Sequence, residues 1–301
     1  MALDRPDPLE SRFFTDGILE RCTLADVALT DRDALRGVLG AHDVRRVFHL
    51  GAQTQVGVAN RSPLETWETN IRGTYMLLEA VRERDAGTKV VVASSDKAYG
   101  SHDALPYRED FALQPNYPYD VSKAATDMIA RSYATTYDMP VAVTRLANVY
   151  GPGDVNWARL VPDTARALVR GERPVIRSDG TPERDYLYAA DAADAYLAVA
   201  DSLADPAFHG RVWNAGSGEP RSVLEIVSRL TQISGRDVEP DIRGTGVPPG
   251  EIDRQYLDST AIREELGWVP KWDLDSGLRA AWEWYERTLV DPRTAYKSEH
   301  G

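Results

Sequence analysis

Hydrophobic residues in the first half of the chain alternate between short continuous runs and longer stretches of helical spacing. Lys89–Ala93 (KVVVA) is a β-branched run that predicts a buried strand, while Asn70–Arg84 repeats apolar residues at steps of three and four and predicts a helix. The same alternation predicts two further strands, Val47–Gly51 and Val141–Arg145, and a further helix, Val121–Tyr137. Strands that alternate with helices are typical of a parallel sheet covered on both faces. The pattern therefore predicts a doubly wound α/β fold.

From residue 151 onward the pattern becomes less regular. The segments GPGD, SDGTPE and RGTGVPPGE are loops rich in glycine and proline, and they separate shorter predicted elements. These elements are Asp185–Tyr188, Val212–Ala215, Ser222–Ser234 and Leu278–Leu289. We therefore expect two domains, one over residues 1–150 with about 184–213 returning to it, and a smaller one that takes most of residues 151–301.

Composition places the chain among ordinary globular proteins. Of its 301 residues, 43% are hydrophobic and 27% are charged, which excludes a disordered or fibrous chain. The formal net charge of -12 argues against a nucleic-acid partner, because nucleic-acid phosphates select basic surfaces.

Neither a metal site nor a membrane segment is predicted. Cys22 is the single cysteine and the five histidines are scattered, so the sequence has no disulfide framework and no metal-ligand spacing. We expect His49, which lies in a predicted strand, to be a core residue. No apolar stretch approaches the roughly 18 residues of a bilayer span, and the opening MALDRPDPLE lacks a signal-peptide pattern. We expect a cytoplasmic protein.

The strongest candidate for chemistry is a tyrosine–lysine pair. Tyr119 and Lys123 are four residues apart in a predicted helix, so both side chains lie on one helical face. An ammonium beside a phenol lowers the pKa of the tyrosine, which becomes a usable base near neutral pH. The spacing alone is common, and its context decides its interpretation.

That context is Val90–Gly100 (VVVASSDKAYG), in which a buried-type strand leads into a polar loop. The loop presents Ser94, Ser95, Asp96 and Lys97 at the carboxyl end of the strand, where parallel sheets bind ligands. A surface ion pair between Asp96 and Lys97 would contribute little to stability. Their position therefore favours a catalytic role.

Eight segments in family order resemble the extended short-chain dehydrogenase/reductases, the NAD-dependent epimerases and dehydratases of nucleotide sugars. They are VFHLGAQ, TNIRGT, SSDKAYG, YPYDVSK, RLANVYGPGD, RDYLY, WNAGSGE and LGWVPKW. The resemblance implies a Rossmann-like domain that binds NAD as cofactor and a smaller C-terminal domain that binds a nucleotide-diphosphate sugar. It also implies a homodimer built on the helices around residues 70–84 and 121–137.

The resemblance further implies roles for single residues. Tyr119 removes the proton of the sugar 4-hydroxyl while the C4 hydride passes to NAD, Lys123 holds the nicotinamide ribose and tunes Tyr119, and Ser95 orients the hydroxyl. Contacts to the sugar and the diphosphate are implied for Asn148, Arg159, Leu160 and Arg184, and more weakly for Asn214. Contacts to NAD are implied for Asp4, Asp26, Val27, Gly51, Ala52 and Gln53, in addition to Tyr119 and Lys123.

The Asp96–Lys97 pair distinguishes two reactions within the family. A 4-epimerase oxidises, rotates and reduces its sugar, whereas a 4,6-dehydratase must also remove the C5 proton and protonate the departing C6 hydroxyl. Asp96 suits the acid, and Lys97 stands where the thymidine-linked dehydratases usually carry a glutamate base. The Ser/Thr-Asp-Lys order is similar to the cytidine-linked glucose 4,6-dehydratases, whereas SDGTPERDYLY is similar to the epimerases. We expect a 4,6-dehydratase, with a 4-epimerase as the alternative.

One element of the family pattern is missing from the sequence. The family begins with a strand that leads into G-x-x-G-x-x-G and a helix, whose N-terminus holds the pyrophosphate. The 301 residues contain no such unit, and MALDRP is similar to the end of the family's second strand. We expect the true start to lie upstream, with a truncated non-catalytic family member as the further alternative.

Overall fold

A parallel sheet of four strands organises the first of two units in the protein. The computed structural model describes residues 2–3, 18–247 and 252–290. The first unit comprises Met1–Ala147, Ala193–Ala215 and Leu257–Trp268, and the second comprises Asn148–Ala192, Gly216–Tyr256 and Val269–Gly301. The predicted domains 1–150 and 151–301, and their roles in binding cofactor and substrate, stay predictions.

The elements follow one another along the chain as short strands and longer helices. The strands are β1 (Ala2–Leu3), β2 (Leu24–Ala25), β3 (Arg46–His49), β4 (Lys89–Ala93), β5 (Val141–Leu146), β6 (Asn148–Tyr150), β7 (Val175–Ile176), β8 (Glu183–Tyr188), β9 (Val212–Ala215), β10 (Pro220–Ser222), β11 (Asp241–Ile242) and β12 (Arg254–Gln255). The α-helices are α1 (Arg32–Ala41), α2 (Val56–Arg61), α3 (Pro63–Trp67), α4 (Gly73–Asp85), α5 (Pro118–Tyr137), α6 (Leu160–Val169), α7 (Ala189–Ser202), α8 (Val223–Ser234), α9 (Thr260–Leu266) and α10 (Leu274–Val290). The 3-10 helices are Ile18–Arg21, Asp96–Tyr99 and Pro206–Phe208, and a π-helical turn covers Glu68–Arg72.

The central sheet of the first unit has the order β3-β4-β5-β9, with every pair parallel. Val90 and Val92 of β4 pack on one face against side chains of α1, α4 and α5. On the other face, the ring of Phe48 lies 6.5 Å from that of Tyr196 in α7. Because successive strand side chains point to opposite faces, helices cover the sheet on both sides. The predicted doubly wound α/β fold is confirmed.

The second unit is built around β8, which pairs with β10 in antiparallel and with β6 and β12 in parallel orientation. Strands β7 and β11 form a separate parallel pair. Helices α6, α8 and α10 bury an aromatic-rich core that includes Tyr150, Leu168, Ile226, Trp282 and Tyr285.

Most predicted elements occur within a few residues of their predicted bounds. The strands Lys89–Ala93 and Val212–Ala215 have the predicted bounds. The helix predicted at Asn70–Arg84 is different, because a π-helical turn over Glu68–Arg72 precedes α4. A plain count of apolar spacing does not reveal such a turn, since it inserts one residue into an otherwise regular helix.

Within residues 18–247 and 252–290, no helix combines the length and the apolar character needed to cross a membrane. The same part of the chain holds no group of three or more His, Cys, Asp or Glu side chains that could bind a metal ion.

Candidate active site

The carboxyl end of β4 leads directly into the 3-10 turn that carries the predicted acid and base. Ser95 caps this turn, because its Oγ accepts a hydrogen bond of 3.2 Å from the N–H of Lys97. The same hydroxyl donates to Oδ1 of Asp96 at 3.0 Å. Asp96 is 3% exposed, whereas Lys97 is half-buried. The predicted residues Ser95, Asp96 and Lys97 thus form one continuous group at the strand end.

Helix α5 presents Tyr119 and Lys123 one turn apart near its N-terminus. Pro118 occupies the first helical position, where the N–H that proline lacks would have no acceptor within the helix. Tyr119 is half-buried, and its carbonyl accepts a hydrogen bond of 2.7 Å from the hydroxyl of Ser122. Helix α5 also packs against the 3-10 turn Asp96–Tyr99, so both groups of predicted catalytic residues belong to one region of the first unit.

Lys123 is buried against the end of β4. Its Nζ donates to the carbonyl of Ala93 at 2.9 Å, and its own carbonyl accepts a bond of 3.1 Å from the hydroxyl of Ser94. Burial lowers the pKa of Lys123 to about 8. The ammonium carries three N–H donors, and only one is used by Ala93. The ammonium form therefore retains N–H donors for a ligand.

We expect Lys123→Met to stabilise the protein at pH 7 while removing its activity. The pKa of Lys123 lies lower in the folded chain than the 10.5 of an ordinary lysine, so burying the charge costs stability below about pH 8. Removing a charge whose pKa is shifted by this much stabilises the folded chain, and losing the hydrogen bond to Ala93 offsets part of that effect. The free energy of unfolding of Lys123→Met should therefore be higher by on the order of 2 kcal/mol. Because the unfolded chain binds more protons between pH 8 and 10.5, the advantage of the variant should shrink across that window.

Urea unfolding of both proteins from pH 7 to 10.5 measures this difference. A gain in the free energy of unfolding that stays constant across the window would show that the buried charge is not its cause.

Asn70 was missed as a site residue by sequence reasoning, although it lies in the segment TNIRGT. Its Oδ1 accepts from the N–H of Gln53 at 2.7 Å, and its Nδ2 donates to the carbonyl of Gln53 at 3.0 Å. Nδ2 also donates to the hydroxyl of Ser122 at 2.9 Å, and this hydroxyl donates to the carbonyl of Tyr119. A single buried amide therefore joins the predicted cofactor loop to the first turn of α5.

The π-helical turn explains how Asn70 reaches these partners. The carbonyl of Asn70 accepts from the hydroxyls of Thr74 at 2.6 Å and Thr126 at 3.1 Å, which compensate for the changed bonding of the backbone. Nε2 of His49 lies 2.9 Å from the hydroxyl of Thr74. Burial, together with the charge of Lys123, lowers the pKa of His49 to about 3. The prediction of a core histidine is confirmed.

A buried network supports the 3-10 turn from behind. The hydroxyl of Tyr99 donates to Oδ1 of Asn214 at 2.7 Å, and the guanidinium of Arg145 lies 4.6 Å from the Tyr99 ring. Arg145 donates to Oδ2 of Asp127 at 2.8 Å, and both residues are almost fully buried. The N–H of Asn214 donates to Glu109 at 2.8 Å, and burial raises the pKa of this carboxyl. The network fixes the turn that presents the predicted acid.

Asn214 was predicted to contact substrate, but its surroundings favour a structural role. The residue is fully buried, its Oδ1 accepts from Tyr99, and its Nδ2 donates to the carbonyl of Tyr107 at 2.9 Å. Both the oxygen and the nitrogen of the Asn214 amide are thus hydrogen-bonded to residues of the first unit.

Gly100 reverses the chain after the 3-10 turn in a conformation that needs glycine. Its φ is 71°, and a Cβ built on it would lie 2.0 Å from the carbonyl oxygen of Gln114. The N–H of Gln114 donates to the carbonyl of Tyr99 at 3.0 Å, and the hydroxyl of Tyr107 donates to the carbonyl of Gly100 at 2.9 Å. The close return explains why glycine stands here in the segment SSDKAYG.

Most of the predicted NAD contacts belong to the first unit. Asp4 lies outside the described residues. Asp26 follows β2 and is exposed, whereas Val27 packs against the core beside α1. Gly51 is exposed and Ala52 half-buried in the loop after β3, next to the anchored Gln53. Their contacts to NAD stay predictions.

The remaining predicted substrate contacts belong to the second unit. Asn148 and Arg184 lie on the neighbouring strands β6 and β8. Arg159 caps the N-terminus of α6 with an exposed side chain that forms an ion pair of 3.0 Å with Asp154. Leu160 begins the same helix and packs against the core. Contact of these residues with a substrate stays a prediction.

Comparison with known proteins decides the family. A family model described as GDP-mannose 4,6 dehydratase matches residues 11–281. The chain belongs to this family. Members of the family are NAD-dependent dehydratases and epimerases of sugar nucleotides.

Relatives of the chain include proteins named for a single activity and proteins named for several activities. The dTDP-glucose 4,6-dehydratase of Streptomyces griseus is 34% identical over 261 residues, which cover 84% of this chain and 74% of the relative. A trifunctional UDP-glucose 4,6-dehydratase, 3,5-epimerase and reductase of Arabidopsis thaliana is 29% identical over 84% of this chain. The chain spans only 38% of the length of that relative.

Solved structures share the fold of the chain. The UDP-glucose 4-epimerase of Thermotoga maritima, determined with UDP-glucose, superimposes with a TM-score of 0.82 at 30% identity, covering 90% of this chain and 86% of its own. The dTDP-glucose 4,6-dehydratase of Bacillus anthracis, determined with NAD, has a TM-score of 0.78 at 29% identity. The superposition covers 88% of this chain and 80% of that protein.

The family cofactor is NAD, and the residues at one end of the predicted site fit it. The buried amine of Lys123 retains N–H donors that suit ribose hydroxyls, and Asn70 fixes the backbone of Gln53 beside β3. The fit therefore concerns the nicotinamide ribose.

Proposed function

We propose that the protein is an NAD-dependent nucleotide-sugar 4,6-dehydratase, which oxidises C4, eliminates water across C5 and C6, and returns the hydride to C6. The observation that carries the proposal is the buried carboxyl group of Asp96, held by Ser95 at the end of β4 and followed by Lys97. Elimination needs an acid for the departing hydroxyl, and 4-epimerisation does not.

In this mechanism Tyr119 takes the proton of the 4-hydroxyl, and the nearby ammonium of Lys123 favours its phenolate form. Ser95 orients the hydroxyl. NAD held beside Lys123 would supply the hydride acceptor for C4 and the hydride donor for C6. Asp96 protonates the departing C6 hydroxyl, and Lys97 removes the proton at C5. The chain thus supplies one acid/base group for the oxidation and two for the elimination.

The proposed substrate class is a nucleotide-diphosphate sugar. Arg159 and Arg184 suit the diphosphate, because a guanidinium binds phosphate oxygens in a two-pronged fashion. Asn148 and Leu160 complete the proposed contacts of the second unit. Relatives named for dTDP- and UDP-linked sugars, and a family model named for a GDP-linked sugar, support the class.

A 4-epimerase of the same substrate class is the second candidate. The similarity to the UDP-glucose 4-epimerases of Thermotoga maritima and Mycolicibacterium smegmatis favours it, at 30% and 31% identity. The mass of the product separates the two reactions. After incubation with NAD and a panel of UDP-, dTDP-, CDP- and GDP-hexoses, dehydration gives a product that has lost one water, whereas an isomer of unchanged mass would establish the epimerase.

Asp96→Asn is expected to slow formation of the dehydrated product by about 10²–10⁴-fold, because the leaving hydroxyl loses its acid. Oxidation at C4 should continue, so that reduced cofactor accumulates and absorbs in the near ultraviolet. Asp110→Asn is the matched control, since Asp110 is exposed and pairs with Arg108 on the surface. Normal dehydration by Asp96→Asn would remove this residue from the elimination.

We further propose a cytoplasmic homodimer. A single cysteine is typical of a reducing compartment. On α3 and α5, which contact each other, Trp67, Met128 and Tyr137 are 40%, 59% and 47% exposed. A dimer that covers these apolar side chains removes them from water. Light scattering should give twice the chain mass, and Met128→Glu should lower it to that of a monomer; a monomeric wild-type protein would contradict this part of the proposal.

A further inference from the structure

Arg159, one of the two arginines proposed to contact the diphosphate, is held by a neighbouring carboxylate. Its Nη1 donates to Oδ2 of Asp154 at 3.0 Å. The side chain of Arg159 is 46% exposed, whereas that of Asp154 is 16% exposed. A guanidinium has five N–H donors, and this ion pair uses one of them. Arg159 therefore keeps donors for a phosphate while one of its nitrogens is fixed.

Asp154 is itself anchored from two sides. The N–H of Asn156 donates to its Oδ1 at 2.9 Å, which closes a turn in the loop between β6 and α6. The hydroxyl of Tyr285 in α10 donates to its carbonyl at 2.6 Å, and Tyr285 is fully buried. Burial and the charge of Asp154 raise the pKa of Tyr285, so the phenol keeps its proton and remains a donor. Asp154 is therefore the fixed member of the ion pair, and Arg159 is the member whose position it determines.

The loop that carries both residues is also packed at its middle. The ring of Trp157 lies 6.2 Å from that of Tyr285, and the guanidinium of Arg166 in α6 lies 5.0 Å from the Trp157 ring. The N–H of Arg159 donates to the carbonyl of Asn156 at 3.0 Å. All of these contacts lie within the second unit. The backbone of the loop is therefore fixed as well, and the ion pair adds the orientation of the exposed side chain.

We propose that Asp154 is a positioning residue for the substrate, which holds the Arg159 guanidinium in the orientation that receives the diphosphate of the nucleotide sugar. A free arginine side chain samples many rotamers, and ordering it on binding costs affinity. The ion pair orders Arg159 before the ligand arrives. This inference rests on the proposed function, because it deepens the diphosphate contact proposed there for Arg159.

The carboxylate of Asp154 has a second and opposite effect, because it repels the negative charges of the diphosphate. Removing Asp154 therefore loosens Arg159 and lessens the repulsion at the same time. The two effects are separable, since the repulsion acts whether or not Arg159 is present, whereas the positioning acts only through Arg159. A double-mutant cycle over the two residues measures the positioning alone.

Calorimetric titration of the full chain with UDP, dTDP, CDP and GDP selects the nucleoside diphosphate that binds most tightly, and the cycle uses that nucleotide. Asp154→Ser removes the ion pair but keeps a hydroxyl that can accept from the N–H of Asn156, so the turn remains. We expect it to weaken binding by about fivefold in the wild-type chain, and to leave binding unchanged or tighter when Arg159→Met is already present. Asp110→Ala, which removes an exposed aspartate, should bind as the wild type does.

Asp154→Ala should give the same ratio between the two backgrounds. An equal change in both backgrounds, which is also what a variant that does not fold would give, would overturn the proposal. In steady state, Asp154→Ser should raise KM and leave kcat within about twofold, because the diphosphate takes no part in the reaction at C4, C5 and C6. A lower kcat at unchanged KM would also overturn the proposal.

The titrations distinguish failure of this inference from failure of the proposed function. If none of the four nucleotides bound to the wild-type chain, the proposed substrate class would fail together with the positioning role. If one of them bound and Asp154 and Arg159 were not coupled, only the positioning role would be refuted.

Discussion

Tyr119→Phe is expected to lower the rate of C4 oxidation by about 10²–10⁴-fold, the usual contribution of a general base. Phenylalanine keeps the ring of the half-buried tyrosine and loses only the hydroxyl that takes the proton. The carbonyl of residue 119 still accepts from Ser122, so the first turn of α5 should remain in place. Binding of the nucleotide sugar should change little, because the lost hydroxyl acts in the transition state of proton transfer and not in the bound ground state.

Stopped-flow measurement of cofactor reduction, combined with calorimetric titration of the substrate, separates these two effects. Tyr117→Phe is the matched control, since Tyr117 caps the same helix and its side chain is 37% exposed. If Tyr119→Phe turned over at the wild-type rate, another group would have to be the base. If it lost substrate affinity as well, the tyrosine would have a binding role.

Asp127→Ala is expected to destabilise the protein by about 3–5 kcal/mol, the cost of leaving one member of a buried ion pair without its partner. Asp127 is fully buried and accepts from Nε of Arg145 and of Arg131, both at 2.8 Å. Arg145 is itself 1% exposed and cannot turn to solvent. Because Arg145 also lies against the ring of Tyr99, the 3-10 turn Asp96–Tyr99 should loosen before the whole unit unfolds.

Urea unfolding measures the loss, and two further variants identify its cause. Asp33→Ala removes an aspartate whose ion pairs lie on the surface, and should cost less than about 1 kcal/mol. Adding Arg145→Met to Asp127→Ala should restore part of the stability, since it removes the buried charge that was left unpaired. Equal losses in Asp127→Ala and Asp33→Ala would show that burial does not govern the strength of this pair.

The sequence was sufficient to predict those elements and candidate residues that depend on neighbouring positions in the chain. The run KVVVA predicts β4 because β-branched residues in an unbroken stretch suit a strand buried on both faces. Tyr119 and Lys123 share a helical face by spacing alone, and Ser95 and Asp96 follow from their place at a strand end. These features depend on residues that are close together in the chain, and the fold does not rearrange them.

The sequence was insufficient to predict the role of a residue whose hydrogen-bond partners are distant in the chain. Asn214 stands in a family segment, yet its role depends on Tyr99 and Tyr107, more than 100 residues earlier. Asn70 joins Gln53 to Ser122 from within a π-helical turn. Burial lowers the pKa of Lys123, and burial is a property of the packed chain. Hydrophobic periodicity contains none of this information.

The π-helical turn makes the length of one helix a functional property. An α-helix rotates by about 100° with each residue, so deleting one residue from Glu68–Arg72 would restore a regular helix and swing Asn70 away from both of its partners. The shorter helix would have better backbone geometry, and the loop at Gln53 would lose its anchor. Loops on protein surfaces usually tolerate insertions and deletions. In this chain, we expect a change of length inside this helix to disrupt the loop at Gln53.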